Sequence, residues 1–427
     1  MTDKTNEPIS LYMHIPFCVK KCAYCDFVSF ACNDGVKDRY IDKLTEELGF
    51  YSKLTGRKIR TAFIGGGTPT SLSAVQLNKL FDGIRTNFDI EDEFSIEANP
   101  ATVDEEKLKV IKDAGVNRIS VGLQSIRDEE LKILGRVHNY ADFLTTLDLI
   151  HSAGFENINV DLMSALPGAT VDTWAKTLET VADMDIQHIS AYSLIIEEGT
   201  PFYDIYGRGN SCEHNACDQK HETDDRLTRE HETEKFETEP YKIKDYPPLP
   251  NEETEREMYH ITNDILQSRG FHQYEISNYA KRGHECRHNK TYWQGGYYIG
   301  TGLSAAGYLP SVCFGRSDDC SFRYKNTSDI NEYLGFRPEN TQEQYREFEP
   351  VTDIDAAKEL FIFGLRMNEG VDTKKAFELA KDVAYISSVK TNIEKLMSEG
   401  LLESAGSVIR LTPKGRDFEN TVVLSFV

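Results

Sequence analysis

The stretch Leu11-Tyr12-Met13-His14-Ile15-Pro16-Phe17-Cys18-Val19-Lys20-Lys21-Cys22-Ala23-Tyr24-Cys25-Asp26-Phe27 begins as a short apolar run and passes directly into three cysteines. Residues 11–17 read as a β-strand, and Cys18, Cys22 and Cys25 as a C-x3-C-x2-C loop leaving its C-terminal end. Thiolates are soft ligands that suit an iron–sulfur cluster. Three of them on a four-iron (4Fe-4S) cluster leave one iron open, able to chelate an amine and a carboxylate together. The methionine end of S-adenosylmethionine supplies both groups, and an electron from the cluster can then break its sulfonium bond. The plainer alternative is a structural zinc, with His14 or Cys32 as fourth ligand. Such sites favour C-x2-C pairs in a closed tetrahedral shell, and the x3–x2 spacing argues against one.

Outward from this loop the chain repeats its first move. Short β-branched runs at 61–67, 94–98, 118–124, 158–163 and 188–194 alternate with amphipathic stretches whose apolar residues recur at three and four. Strand–helix alternation argues for an α/β fold with a parallel sheet. Six units are too few for the usual eight-stranded barrel. The expectation is an open, partial (β/α)6 barrel over residues 1–210.

Residues 211–250 are rich in Asp, Glu, Thr and His and end in Pro247-Pro248-Leu249-Pro250, which reads as an acidic, flexible insertion. Its Cys212, His214 and Cys217 are better read as solvated side chains than as ligands. Helical patterning resumes near 252–270, and residues 251–345 read as an extension of the barrel. Residues 346–427 read as a C-terminal helical, winged-helix-like domain, with helices at 353–367 and 386–400 and a wing at 407–415. A wing invites a DNA-binding reading. However, residues 351–427 carry 12 acids and 10 bases, and the whole chain has a net charge of −22, so nucleic acid is excluded as a partner. No run reaches the roughly 20 apolar residues of a spanning helix. The N-terminal residues contain no apolar segment typical of a secretion signal. A cytoplasmic location is expected, where nine cysteines serve better as ligands or reactive groups than as disulfides.

Polar groups recur at the strand ends. Gly65-Gly66-Gly67-Thr68 follows the second strand, Glu97 lies in IEANP, Gln124 in VGLQS, Arg136 in LGRVH and Asp161 in NVDLM. Each alone could be a satisfied core residue or a cap. Together they fall where a parallel barrel gathers its ligands. The cysteine loop with Tyr24 before its last cysteine resembles the radical S-adenosylmethionine superfamily. The wider string YMHIPFCVKKCAYCDF resembles the oxygen-independent coproporphyrinogen III oxidase group within it. The resemblance implies that Cys18, Cys22 and Cys25 hold a 4Fe-4S cluster and that Tyr12, Gly66 and Glu97 contact S-adenosylmethionine. It also implies that Gly67, Thr68, Gln124, Arg136 and Asp161 correspond to a second S-adenosylmethionine site.

Within that group the oxidases carry a further cysteine two residues after the third, where this chain has Phe27. The CDF ending, HISAYSLIIEEGTPFY (188–203) and YEISNYA (274–280) resemble instead the heme-chaperone branch, HemW. So does Cys286-Arg287-His288-Asn289-Lys290-Thr291-Tyr292-Trp293, whose H-N-x-x-Y is implied to serve heme. A neutral imidazole ligates heme iron well, and Tyr292 could border a porphyrin. The bottom-up alternative is that His288 and Asn289 hold a loop by hydrogen bonds. Two departures stand out: Ser164-Ala165 replaces a usual Tyr-Gly, and Ala306 stands where a histidine is common. The branch implies heme and heme-accepting proteins as partners, respiratory ones at the membrane surface among them. It disfavours coproporphyrinogen oxidation as the activity and leaves catalysis open.

Overall fold

A computed structural model describes residues 8–207, 246–314, 320–335, 337 and 345–427. The segment holding Cys212, His214 and Cys217 lies outside the described residues. The chain first runs β1 (Ser10–Ile15), α1 (Asp34–Thr55), β2 (Lys58–Gly66), α2 (Ala74–Asn87), β3 (Asp89–Ala98), α3 (Glu105–Asp113) and β4 (Arg118–Gln124). It continues α4 (Asp128–Ile133), α5 (Tyr140–Ser152), β5 (Ile158–Ser164), α6 (Val171–Ala182) and β6 (His188–Ser193). The six strands pair in sequence order and all in parallel, the expected partial barrel.

Local chemistry sets the helix starts. Asn33 accepts from the Val36 amide at the start of α1, and capping boxes at Ser73/Gln76, Asn139/Asp142 and Thr170/Thr173 open α2, α5 and α6. Each cap contributes on the order of 1 kcal/mol. Strand alternation then divides the layers. Leu11, Met13 and Ile15 of β1 are fully buried in one apolar core with Tyr40, Ile41, Leu44 and Leu48 of α1. The intervening Ser10, Tyr12 and His14 face the barrel interior, which is polar, with buried Ser95, Ser120, Asn159 and His188 from the neighbouring strands. Parallel pairing puts all six strand C-termini at one mouth, so the cysteine loop, the glycine triplet, Glu97, Gln124 and Asp161 share it.

The sheet grows beyond the six predicted strands at both edges. α7 (Glu252–Ser268) leads into β7 (His272–Glu275) and β8 (Asn278–Ala280), and β8 lies antiparallel against β6. YEISNYA is thus a tight hairpin. After α8 (Arg287–Trp293), β9 (Tyr298–Thr301) joins β1 in parallel. β10 (Ala306–Pro310), β11 (Ser321–Asn326) and, after α9 (Ile330–Gly335), β12 (Arg346–Val351) extend that edge antiparallel. A buried knot ties this edge to α1. The Arg346 guanidinium donates to Glu47 Oε1 at 2.8 Å, and Asn326, Tyr333 and the Gly302 amide donate to the same carboxylate. Glu47 and Arg346 are 0% and 1% exposed as side chains. Glu47→Ala leaves the arginine charge buried and uncompensated, a loss of about 3–5 kcal/mol. The expected result is a drop of several degrees in thermal midpoint, and an unchanged midpoint would show that the knot is not needed.

The C-terminal unit comprises α10 (Asp353–Gly364), β13 (Val371–Asp372), α11 (Thr373–Ala380), α12 (Val383–Ser398), β14 (Leu402–Ala405) and β15 (Val408–Leu411). Its sheet order is β13-β15-β14, and β14–β15 form the wing. Residues 412–415, predicted as part of the wing, instead cap and open a short helix at Pro413–Asp417, because the Thr412 hydroxyl accepts from the Gly415 amide. The unit clasps the β7–β8 hairpin and α8: Asn368 donates to the Gln273 carbonyl at 2.6 Å, and Arg366 lies 4.7 Å above the Trp293 ring of α8. No helix of the described residues is long and apolar enough to cross a membrane.

Candidate functional site

At the barrel mouth a cavity of about 420 Å³ collects ten of the predicted residues: Cys18, Cys22, Cys25, Gly66, Gly67, Thr68, Glu97, Gln124, Arg136 and Asp161. The cysteine loop closes one side. It is pinned at its start by the Cys18 amide on the Phe30 carbonyl and in its middle by the Ala23 amide on the Leu134 carbonyl. All three thiols are free and partly exposed. Burial raises the Cys25 thiol above its ordinary value. Among the described residues no three His, Cys, Asp or Glu converge on a single ion. The thiols instead share one cavity wall, and three sulfur donors with open space in front of them suit a polynuclear iron cluster.

The glycine triplet is dictated by contact. A Cβ on Gly66 would stand 2.4–2.9 Å from the His14 imidazole, and Gly66 has φ of +111°. A Cβ on Gly67 would stand 2.9 Å from the Ile15 and Phe17 backbone. The loop therefore lies flat against β1, with the Gly66 amide donating to Glu97 Oε2 at 3.0 Å. Burial, with the Asp161 carboxylate nearby, pushes Glu97 up to about 7 despite that bond. Burial also raises Asp161, against hydrogen bonds from Asn159 and Ser120. Gln124 ends β4 at φ +73°, beside a register shift in its pairing with β5, and its Oε1 accepts from the Tyr192 hydroxyl at 2.9 Å. Arg136 reaches across to the Asn99 Oδ1 at 2.7 Å, the Gly122 carbonyl at 2.5 Å and the Cys22 sulfur at 3.7 Å. It thus places a cation beside a thiol. Sequence reasoning missed Asn99, Tyr192 and Tyr24. Asn99 stands two residues beyond Glu97, and Tyr192 lies near the end of β6, so the strand-end rule that found the others extends to them.

The remaining three predicted residues lie elsewhere. Tyr12 and Tyr292 line a second cavity of about 430 Å³, bounded by β9, β10, β11 and α10. Tyr12 lines the second cavity only: its ring stacks on Phe63 at 6.4 Å, its hydroxyl bonds to His14 Nδ1 at 3.0 Å, and burial, with Glu97 nearby, raises it. His288 lines neither cavity. It is 1% exposed and stacks on Phe63 at 5.3 Å. Its Nδ1 bonds to Thr61 Oγ1 at 2.9 Å and its Nε2 to the Tyr292 hydroxyl at 2.7 Å. The Thr61 hydroxyl donates onward to Ser10 at 2.8 Å, so it accepts from Nδ1–H, and Nε2 accepts from Tyr292. Burial, with Arg118 nearby, takes His288 down to about 3 and keeps it neutral. An axial ligand needs an open ring nitrogen. Both nitrogens of His288 are engaged, and the motif residue that faces a cavity is Tyr292. Glu93 explains the motif's position, since its carboxylate accepts from the Arg287 and His288 amides at 2.9 and 3.0 Å and fixes the start of α8.

A parallel six-strand barrel with three thiols on the loop after its first strand defines a radical S-adenosylmethionine protein, and the family model described as Radical SAM superfamily matches residues 12–181. The HemN C-terminal domain model matches residues 351–418. The chain is 36% identical to the heme chaperone HemW of Bacillus subtilis strain 168, over 98% of this chain and 99% of that protein. It is 30% identical to HemW of Escherichia coli K12, over 98% of each. Its fold matches the solved Escherichia coli coproporphyrinogen III oxidase HemN with a TM-score of 0.76 at 21% identity, covering 100% of this chain and 91% of that one. The chain belongs to the HemW family of radical S-adenosylmethionine proteins.

Proposed function

We propose that this chain is a heme chaperone that holds a 4Fe-4S cluster on Cys18, Cys22 and Cys25 and binds S-adenosylmethionine beside it. In this reading Tyr12, Gly66 and Glu97 position the cluster-bound S-adenosylmethionine, and Gly67, Thr68, Gln124, Arg136 and Asp161 form a second site of the same kind. Heme is the cargo, received near Tyr292 with His288 behind it and passed to acceptor proteins in the cytosol or at the inner face of a membrane. The single observation that carries the reading is the presence of two cavities, one at the barrel mouth lined by the three thiols, the other aromatic and lined by Tyr12 and Tyr292.

The residues divide the work by chemistry. A cluster on three thiolates supplies an iron with an open position and an electron at low potential. The flat glycine loop lets a ligand approach backbone amides closely. Glu97, poised near neutrality, can face an ammonium group, and Arg136 can face a carboxylate. Phe27 is 61% exposed where the oxidases carry a thiol, so this chain lacks that group at the cavity rim. Placing a propionate carbon within reach of a radical demands near-attack geometry. Carrying heme demands only a matched cleft.

One sample tests both readings. After anaerobic reconstitution the protein is expected to bind about one heme per chain and to leave coproporphyrinogen III unconverted under reducing conditions. Robust conversion with no heme affinity would promote the oxidase reading instead.

A further inference from the structure

The aromatic cavity has more to say than the motif that led to it. Its wall carries six aromatic side chains, Tyr12, Tyr292, Trp293, Tyr298, Tyr308 and Phe363, and the charged residues Arg323 and Glu359. Its volume of about 430 Å³ falls in the ~300–1,000 Å³ range of small-molecule sites. Tyr292 packs edge to face on Tyr298 at 4.7 Å and 85°, so the cavity wall is built of interlocked rings. The one cation is placed with care. The Arg323 guanidinium lies 5.7 Å from the Tyr308 ring centre and donates to Glu359 Oε2 at 2.8 Å. Glu349 Oε2 lies 3.9 Å from the same guanidinium, whose five N–H donors leave capacity for a further carboxylate. Ala306 is on the same wall.

We infer that this cavity is where the chain carries its tetrapyrrole: the macrocycle lies between the added strands and α10, and Arg323 anchors a ring carboxylate. His288 is then a positioning residue, acting through the Tyr292 hydroxyl it holds at 2.7 Å. The inference rests on the heme-chaperone reading and adds to it a location, a carboxylate requirement and a second structural unit, since Glu359 and Phe363 come from the C-terminal part of the chain. It also gives Ala306 a consequence: the cavity has room at a place from which an imidazole would enter.

The test compares heme with its dimethyl ester, which has the same ring without the acids, on the reconstituted full chain. The wild type is expected to prefer heme. Arg323→Ala is expected to bind heme about 10- to 100-fold more weakly, the loss of a charge-assisted contact, while its ester affinity stays level. Ala306→Phe is expected to block both ligands while loading its cluster as the wild type does. Ala306→His is expected to shift the heme absorption spectrum toward imidazole ligation. Heme and ester affinities unchanged in both Arg323→Ala and Ala306→Phe would place the heme elsewhere and overturn the inference while leaving the chaperone reading intact. A wild type that binds neither ligand would overturn both. If Ala306→Phe fails to load its cluster, the ester comparison in Arg323→Ala decides alone.

Discussion

Alanine at Cys18, Cys22 or Cys25 is expected to abolish the 4Fe-4S absorbance and the paramagnetic resonance signal of the reduced protein. The three thiols are the only cysteines among the residues lining the cavity, and each supplies one corner. Loss of one leaves two irons open, and no other thiol on the wall can take its place by rotation. Alanine at Cys32, Cys313 or Cys320 is expected to leave the signal intact, because none of these lines the cavity. Iron content and absorbance on anaerobically reconstituted protein check both halves. A cluster that survives Cys22→Ala would remove the motif from the site.

The second large effect is at Gly66. An alanine there faces two penalties together: a left-handed backbone at φ +111° and a Cβ within 2.4–2.9 Å of the His14 ring. His14 cannot easily step aside, since Nε2 is bonded to the Val28 carbonyl at 2.9 Å and Nδ1 to Tyr12. Strain and overpacking together come to about 2–6 kcal/mol. The yielding part is expected to be the loop, which withdraws the amide that holds Glu97. The cysteine loop belongs to a different segment, so the cluster is expected to load. S-adenosylmethionine, however, is expected to bind about 30-fold more weakly or worse, and to cease perturbing the resonance spectrum of the reduced cluster. A full spectral response in Gly66→Ala would mean that this loop does not meet the ligand.

The sequence displayed the barrel well because its signals are local. Each strand is a short β-branched run, most of the barrel helices begin on a side-chain cap, and most mouth residues sit at strand ends that parallel pairing must bring together. Nine of the site residues could be placed by that single rule, whereas Arg136 reaches the mouth from the loop after α4. The second cavity could not. Its walls come from Tyr12, the 292–308 region, Arg323 and α10, which have no common spacing and meet only through the order in which β9, β10 and β11 add to the sheet. The surroundings of His288 were hidden for a related reason. A histidine in H-N-x-x-Y looks the same in sequence whether its ring faces a cavity or Thr61, and the decision is made by Glu93 and Phe63 more than 190 residues earlier.

The pairing of β1 with β9 also sets a clock. Thr301 Oγ1 donates to the Tyr12 carbonyl across 289 residues. At ribosomal rates of ~5–20 residues per second, that span takes roughly 15–60 s to synthesise. Throughout that interval one edge of β1 has no neighbour, an open hydrogen-bonding row of the kind that invites foreign strands. The residues that line the thiol cavity end at Glu197, whereas the aromatic one has no outer wall until Phe363 has been made. On the growing chain the two chambers are therefore born in succession, the thiol-lined one well before the aromatic one.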